Sequence, residues 1–173
     1  MSLIVEDATG LSTAESYLSV ANADTYHASY TGSTAWSGAS TGTKERALRR
    51  ATQYLDSVYG GRWLGERYTE TQALDWPRSD VEIDGVLLDE SPLPVALRNA
   101  TAELALREIT ETGGLLPDDT TGVIQAESTT VDVISTSVTY QGGKSPQTKY
   151  AFVERMLARD VASLIGRPFG FFW

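Results

Sequence analysis

Residues 43–61 read TKERALRRATQYLDSVYGG, and this stretch decides the fold class. Its apolar residues Ala47, Leu48, Ala51, Leu55 and Val58 recur at steps of three and four. That spacing lines them up on one face of an α-helix, with the charged residues on the other. Thr43 stands where an N-cap belongs, and Gly60–Gly61 stand where the helix should stop. A second segment of the same kind follows at Val95–Thr112, with Leu97, Ala100, Leu104 and Ile109 in its stripe. Ser91, Pro92 and Pro94 launch it and Gly113–Gly114 close it. Two amphipathic helices need each other's apolar faces, so the fold is expected to be mainly α.

Working outward, Ser19 is placed to cap a short helix through VANADTYHASY, stopped by Gly32. Residues 32–43, GSTAWSGASTGT, read as a loop anchored by Trp36. Residues 62–94 hold no long periodic run; Asp84–Gly85 reads as a tight turn between short strands. Residues 123–140 are rich in Val, Ile and Thr, and Ile134, Thr136, Val138 and Tyr140 alternate with Val133, Ser135, Ser137 and Thr139. A β-hairpin with its turn near Ser128–Thr130 follows from that pattern. After the hinge QGGKSPQ, Ser145 and Pro146 start a last helix to about Ile165, with Phe152, Val153, Met156, Leu157 and Leu164 on its apolar side. The expected architecture is a small bundle of three to four helices with a hairpin insertion, one domain over residues 1–165. An extended C-terminal tail, residues 166–173, completes it.

The chain's 173 residues suit one ordinary domain, and 41% of them are hydrophobic, enough for a core. It has no cysteine, which removes disulfides, thiolate metal sites and cysteine nucleophiles. No run approaches the roughly 20 apolar residues of a membrane span. Acids sit where a signal peptide has basic residues, so a soluble protein made inside the cell is expected, with no membrane partner. The net charge of −9 is uneven: residues 44–78 carry +2, while residues 79–140 hold twelve acids against two arginines. An acidic middle repels phosphate backbones.

Catalytic patterns are missing. The single histidine, His27, has no partner that the sequence marks, and packing is its expected role. Asp80–Glu82–Asp84, Asp118–Asp119 and Asp89–Glu90 follow no metal-loop or acid–base pattern and read as solvated acids. The segment GTKER at Gly42 lacks the spaced glycines of a phosphate loop, and no serine sits in a Gly-x-Ser-x-Gly elbow. No enzyme, metal or cofactor is expected. Lys44, Arg46, Arg49 and Arg50 form a basic patch on the first long helix, read as a solvated face. Trp63 and Tyr68, interleaved with Arg62 and Arg67, are the residues suited to stacking on single-stranded bases. A core lid is the competing role for Trp63.

A more specific signal runs through YLDSVYGGRWLGERYTETQALDWPRS, residues 54–79. It ends in Gln72-x-Leu74-x-Trp76-Pro77-Arg78, in which Pro77 biases Trp76 to an extended conformation. Trp76 is expected to cover the seam between the two long helices while Arg78 reaches an acid. This arrangement resembles the head–tail adaptor (connector) proteins of tailed bacteriophages. It is most similar to the branch labelled DnaT-like single-stranded-DNA-binding protein. The opening VEDATGLSTAESYLSVANADTYHA, residues 5–28, and PLPVALRNATAELALRE, residues 92–108, resemble that branch too. The likeness covers most of residues 4–110 and runs more loosely through the hairpin and last helix. It implies a structural virion protein of the neck, assembled in the host cytoplasm. Such a protein forms a ring, commonly of twelve copies, beneath the portal protein, extends the channel through which packaged DNA passes, and carries the next neck or tail component. No sequence-specific DNA contact is implied. The alternative is the branch's label taken literally, a single-stranded-DNA-binding protein, which needs a basic groove with stacked aromatics.

The chain ends GRPFGFFW. Gly166, Pro168 and Gly170 interrupt any strand, and burying each large side chain is worth about 2 kcal/mol to whatever covers it. Arg167, Phe169, Phe171, Phe172 and Trp173 are therefore expected to dock on the portal or on a neighbouring copy.

Overall fold

The computed structural model describes residues 2–83, 86–88, 92–111, 114–115, 124–130, 135–140 and 150–161. The fold is mainly helical, as the periodicities predict. Helices α1 (Val20–Tyr30), α2 (Thr34–Ser37), α3 (Thr41–Tyr59), α4 (Val95–Thr110) and α5 (Ala151–Val161) appear in chain order. A 3₁₀ turn, Gly60–Arg62, extends the end of α3. Three antiparallel two-stranded pairs complete the described elements: β1 (Glu66–Arg67) with β2 (Arg78–Ser79), β3 (Glu82–Ile83) with β4 (Val86–Leu87), and β5 (Ile124–Thr130) with β6 (Ser135–Tyr140). The chain divides into two compact units, Met1–Leu116 with Ala151–Trp173 and, by itself, Pro117–Tyr150. No helix among the described residues is long and apolar enough to cross a membrane.

In the helical unit α3 packs on α4, and α4 also carries α5, α2 and α1. Leu48 and Leu55 of α3, Leu97 and Leu104 of α4, and Val153 and Leu157 of α5 are fully buried, each stabilising the bundle by about 2 kcal/mol. Ala47, Ala51, Ala96, Ala100 and Ala105 are buried between them, and such short side chains let helix backbones approach closely. Phe152, expected on the apolar side of the last helix, is instead 50% exposed. Val153 and Leu157, four apart, set the buried face, and Phe152 lies beside it.

Two boundaries differ from expectation. Ser40, not Thr43, caps α3: its hydroxyl accepts from the Thr43 amide at 3.2 Å, so the helix starts in the stretch read as loop. Within that same stretch Ser33 caps the one-turn helix α2 and points Trp36 into the core. The β5–β6 pairing places Thr130 opposite Ser135, so the connection falls at residues 131–134, later than the expected turn. Asp84–Gly85, Ser91, the hinge, Ser145, Pro146, Leu164 and the tail lie outside the described residues.

Candidate functional site

The Gln72–Arg78 motif forms a turn held by its own side chains. Gln72 is buried; its Oε1 accepts from the Thr69 amide at 2.8 Å, and its Nε2 donates to the carbonyls of Leu74 at 2.8 Å and Pro77 at 3.0 Å. Leu74 therefore serves through its backbone. The Trp76–Pro77 peptide is cis. Arg78 does not reach an acid: its Nε donates to Leu64 O at 2.7 Å, and its two Nη atoms donate to Gly65 O at 2.6 Å and Asp75 O at 3.3 Å. Arg78 is half-buried, where desolvation makes unpaired N–H groups costly, and lone carbonyls between short elements accept from three of them. Gly65 is required here, because its φ is +70° and an added Cβ would lie 2.2 Å from Ser79 O.

Trp76 is 1% exposed and meets Trp63 edge-on, with ring centroids 6.0 Å apart. Its amide donates to Tyr17 Oη at 3.2 Å, and Tyr17 in turn donates to Asp56 Oδ1 of α3 at 2.5 Å. Trp76 thus joins the turn to the N-terminal segment and α3. Asp56 Oδ2 accepts from the Asp75 amide at 3.4 Å. Burial, with the Asp75 charge adding to it, pushes the Asp56 carboxyl up to about 7, while the Tyr17 hydrogen bond opposes the rise. A groove of about 630 Å³ opens beside it, lined by Glu15, Arg49, Thr52, Asp56 and Leu74 among others. Tyr17 and Asp56 carry no motif signal alone; their only sequence mark is that both fall in segments of the family likeness, Ser16–Tyr17 and Tyr54–Asp56.

What the turn presents to solvent is β1. Arg67 directs one Nη at Gln72 O, 2.5 Å away, with Asp75 3.9 Å from the other, and Tyr68 beside it is 45% exposed. Trp63, the other expected stacking residue, is buried against Trp76 and Tyr59, and Arg62 covers the Tyr59 ring at 4.6 Å. Much of the basic patch on α3 is paired within the chain. Lys44 meets Asp24 at 2.8 Å, Arg49 meets Glu15 at 2.8 Å, and Arg50 stands 3.8 Å from Glu108. Arg46 is exposed and donates to Thr43.

His27 is buried against the Trp36 ring, and its Nε2, which faces the Ala102 carbonyl at 3.1 Å, carries the proton. Burial holds its pKa below the ordinary value, so it is a neutral packing residue. Among the described residues no group of three or more His, Asp or Glu is placed to hold a metal ion. Arg167, Phe169, Phe171, Phe172 and Trp173 lie outside the described residues.

No curated protein and no solved structure matches the chain. The sequence model of one family matches residues 1–167, nearly the whole chain. The chain, with its clamped turn and its exposed Arg67–Tyr68 edge, belongs to the family described as "Putative DnaT-like ssDNA binding protein".

Proposed function

We propose that the protein contacts single-stranded DNA through the Arg67–Tyr68 edge, with Tyr68 stacking on a base and Arg67 facing the backbone. Family membership supports this reading, and the observation that carries it is the exposed Tyr68 beside an exposed arginine at β1, the strand paired to the end of the clamped turn. Every base offers a π-face, so such a contact is tolerant of sequence. The net charge of −9 and the paired cations of α3 make the binding weak, and with Arg67 as its phosphate contact only modestly dependent on salt. Fluorescence anisotropy of a labelled oligothymidylate tests it. Binding is expected at about 50 mM salt and should weaken roughly two- to threefold by about 200 mM. Tyr68→Ala should weaken it on the order of tenfold, since stacking is worth about 1–3 kcal/mol per base. Wild-type affinity in Tyr68→Ala, or no binding at the lower salt, overturns the reading.

A second reading, the head–tail adaptor, is favoured by a different observation. Val86 and Leu87, at 68% and 66%, stand exposed on the β3–β4 pair, as suits a surface covered by another protein. The tryptophans at 36, 63 and 76 are buried, where no base can reach them. On this reading copies assemble into a ring on the portal, the acidic surface lets packaged DNA slide, and the aromatic tail is the hook. Native mass spectrometry with portal protein should then show rings. Deleting residues 167–173 should abolish attachment; retention of attachment counts against the hook.

A further inference from the structure

Three segments converge on one carboxyl. Asp56 of α3 receives the Tyr17 hydroxyl of the N-terminal segment on Oδ1 at 2.5 Å and the Asp75 amide of the motif turn on Oδ2 at 3.4 Å. Tyr17 is meanwhile the acceptor for the Trp76 amide, so the same two residues hold two successive amides of the turn. The charged groups facing Asp56 are Asp75 on the turn and Arg67 on β1, with the paired Arg49 and Glu15 on the walls of the adjoining groove. The groove gives water, and so protons, a route to the carboxyl. An ionised carboxylate only accepts hydrogen bonds, whereas a protonated one must donate from one of its oxygens. The short contact from Tyr17 favours Oδ1 as the retained acceptor, which leaves Oδ2, opposite the longer Asp75 contact, to take the proton.

We propose that Asp56 is a proton-operated latch on the Asp75–Pro77 turn: ionised, it holds both the Tyr17 hydroxyl and the Asp75 amide, and protonated, it keeps Tyr17 and releases the amide. The balance is close. Burial and the neighbouring Asp75 charge favour the proton, while the two incoming donors and Arg67 favour the carboxylate. The latch therefore switches near neutral pH, and it does so whichever partner the protein binds.

Carbon-detected NMR titration of the aspartate carboxyls in the full chain, with hydrogen exchange at the Asp75 amide corrected for its intrinsic rate, tests the proposal. Asp56 is expected to titrate with a midpoint of about 7, and Asp75 amide protection should appear on ionisation with the same midpoint. Asp56→Asn, which places an N–H where the proton would sit, should abolish the step and leave the amide unprotected at every pH. Asp75→Asn, a milder change, should move the midpoint down, and Tyr17→Phe should move it up. An Asp56 midpoint in the usual carboxylate range, an Asp75 step that survives in Asp56→Asn, or an unmoved midpoint in Asp75→Asn overturns the latch.

Discussion

The guanidinium of Arg78 satisfies three carbonyls, Leu64, Gly65 and Asp75, that lie outside any helix or strand. Removing it leaves them without a donor in a half-buried place, so Arg78→Ala should cost about 3 kcal/mol in urea unfolding. Arg78→Lys should recover little of that, because an ammonium cannot reproduce the planar fork. Gly65→Ala, forced into a left-handed φ of +70° with a backbone oxygen in its way, should cost at least about 2 kcal/mol. At this scale the sequence is half legible. Its pattern singles out Arg78, Gln72 and Trp76, but a carboxylate and a carbonyl both accept from a guanidinium. Spacing along the chain does not say which lies within reach. The Tyr17–Asp56 contact spans 39 positions and is legible only once α3 and the N-terminal segment are placed together.

The helices follow from periodicity because burial of one face is a property of the whole segment, insensitive to the terminal residue. The ends were harder to read. Three hydroxyl residues, Ser40, Thr41 and Thr43, compete to cap α3, and an exposed Gly42 hides the helical first turn from a propensity argument. Ser40→Ala should cost about 1 kcal/mol in thermal or chemical unfolding, with the start of α3 fraying first. Trp36 made α2 hard to see for a related reason. One helical turn has no period, and its stability comes from the indole buried against His27. The hairpin was visible as alternating β-branched residues, whereas its register depends on which polar pair faces which, and alternation is blind to a shift of the turn by a few residues.

For the molecule as a whole, two titratable groups, the half-buried Asp56 and the buried His27, pull stability in opposite directions. The Asp56 carboxyl is raised from its ordinary value of 3.8 to about 7, so the folded state binds a proton that the unfolded state releases across that window. Stability from this group therefore grows as pH falls from about 7 towards 4. His27 is lowered, so below about 6.5 the unfolded state takes a proton that the folded state refuses, and stability falls. Wild type should thus gain stability relative to Asp56→Asn as pH is lowered through that range, measured as the difference of their urea midpoints; a difference that stays flat contradicts the assignment. The net charge was legible from composition, yet its meaning changed with placement: the α3 cations read as a solvated face are largely turned to the chain's own acids. Finally, the edge-to-face meeting of Trp63 and Trp76 at 6.0 Å gives the protein a built-in optical gauge. Two indoles that close couple their electronic transitions, so the near-ultraviolet circular dichroism carries a signature of the seated turn. Any event that lifts Trp76 from Trp63 should erase that signal while the far-ultraviolet helix bands persist, with no label attached.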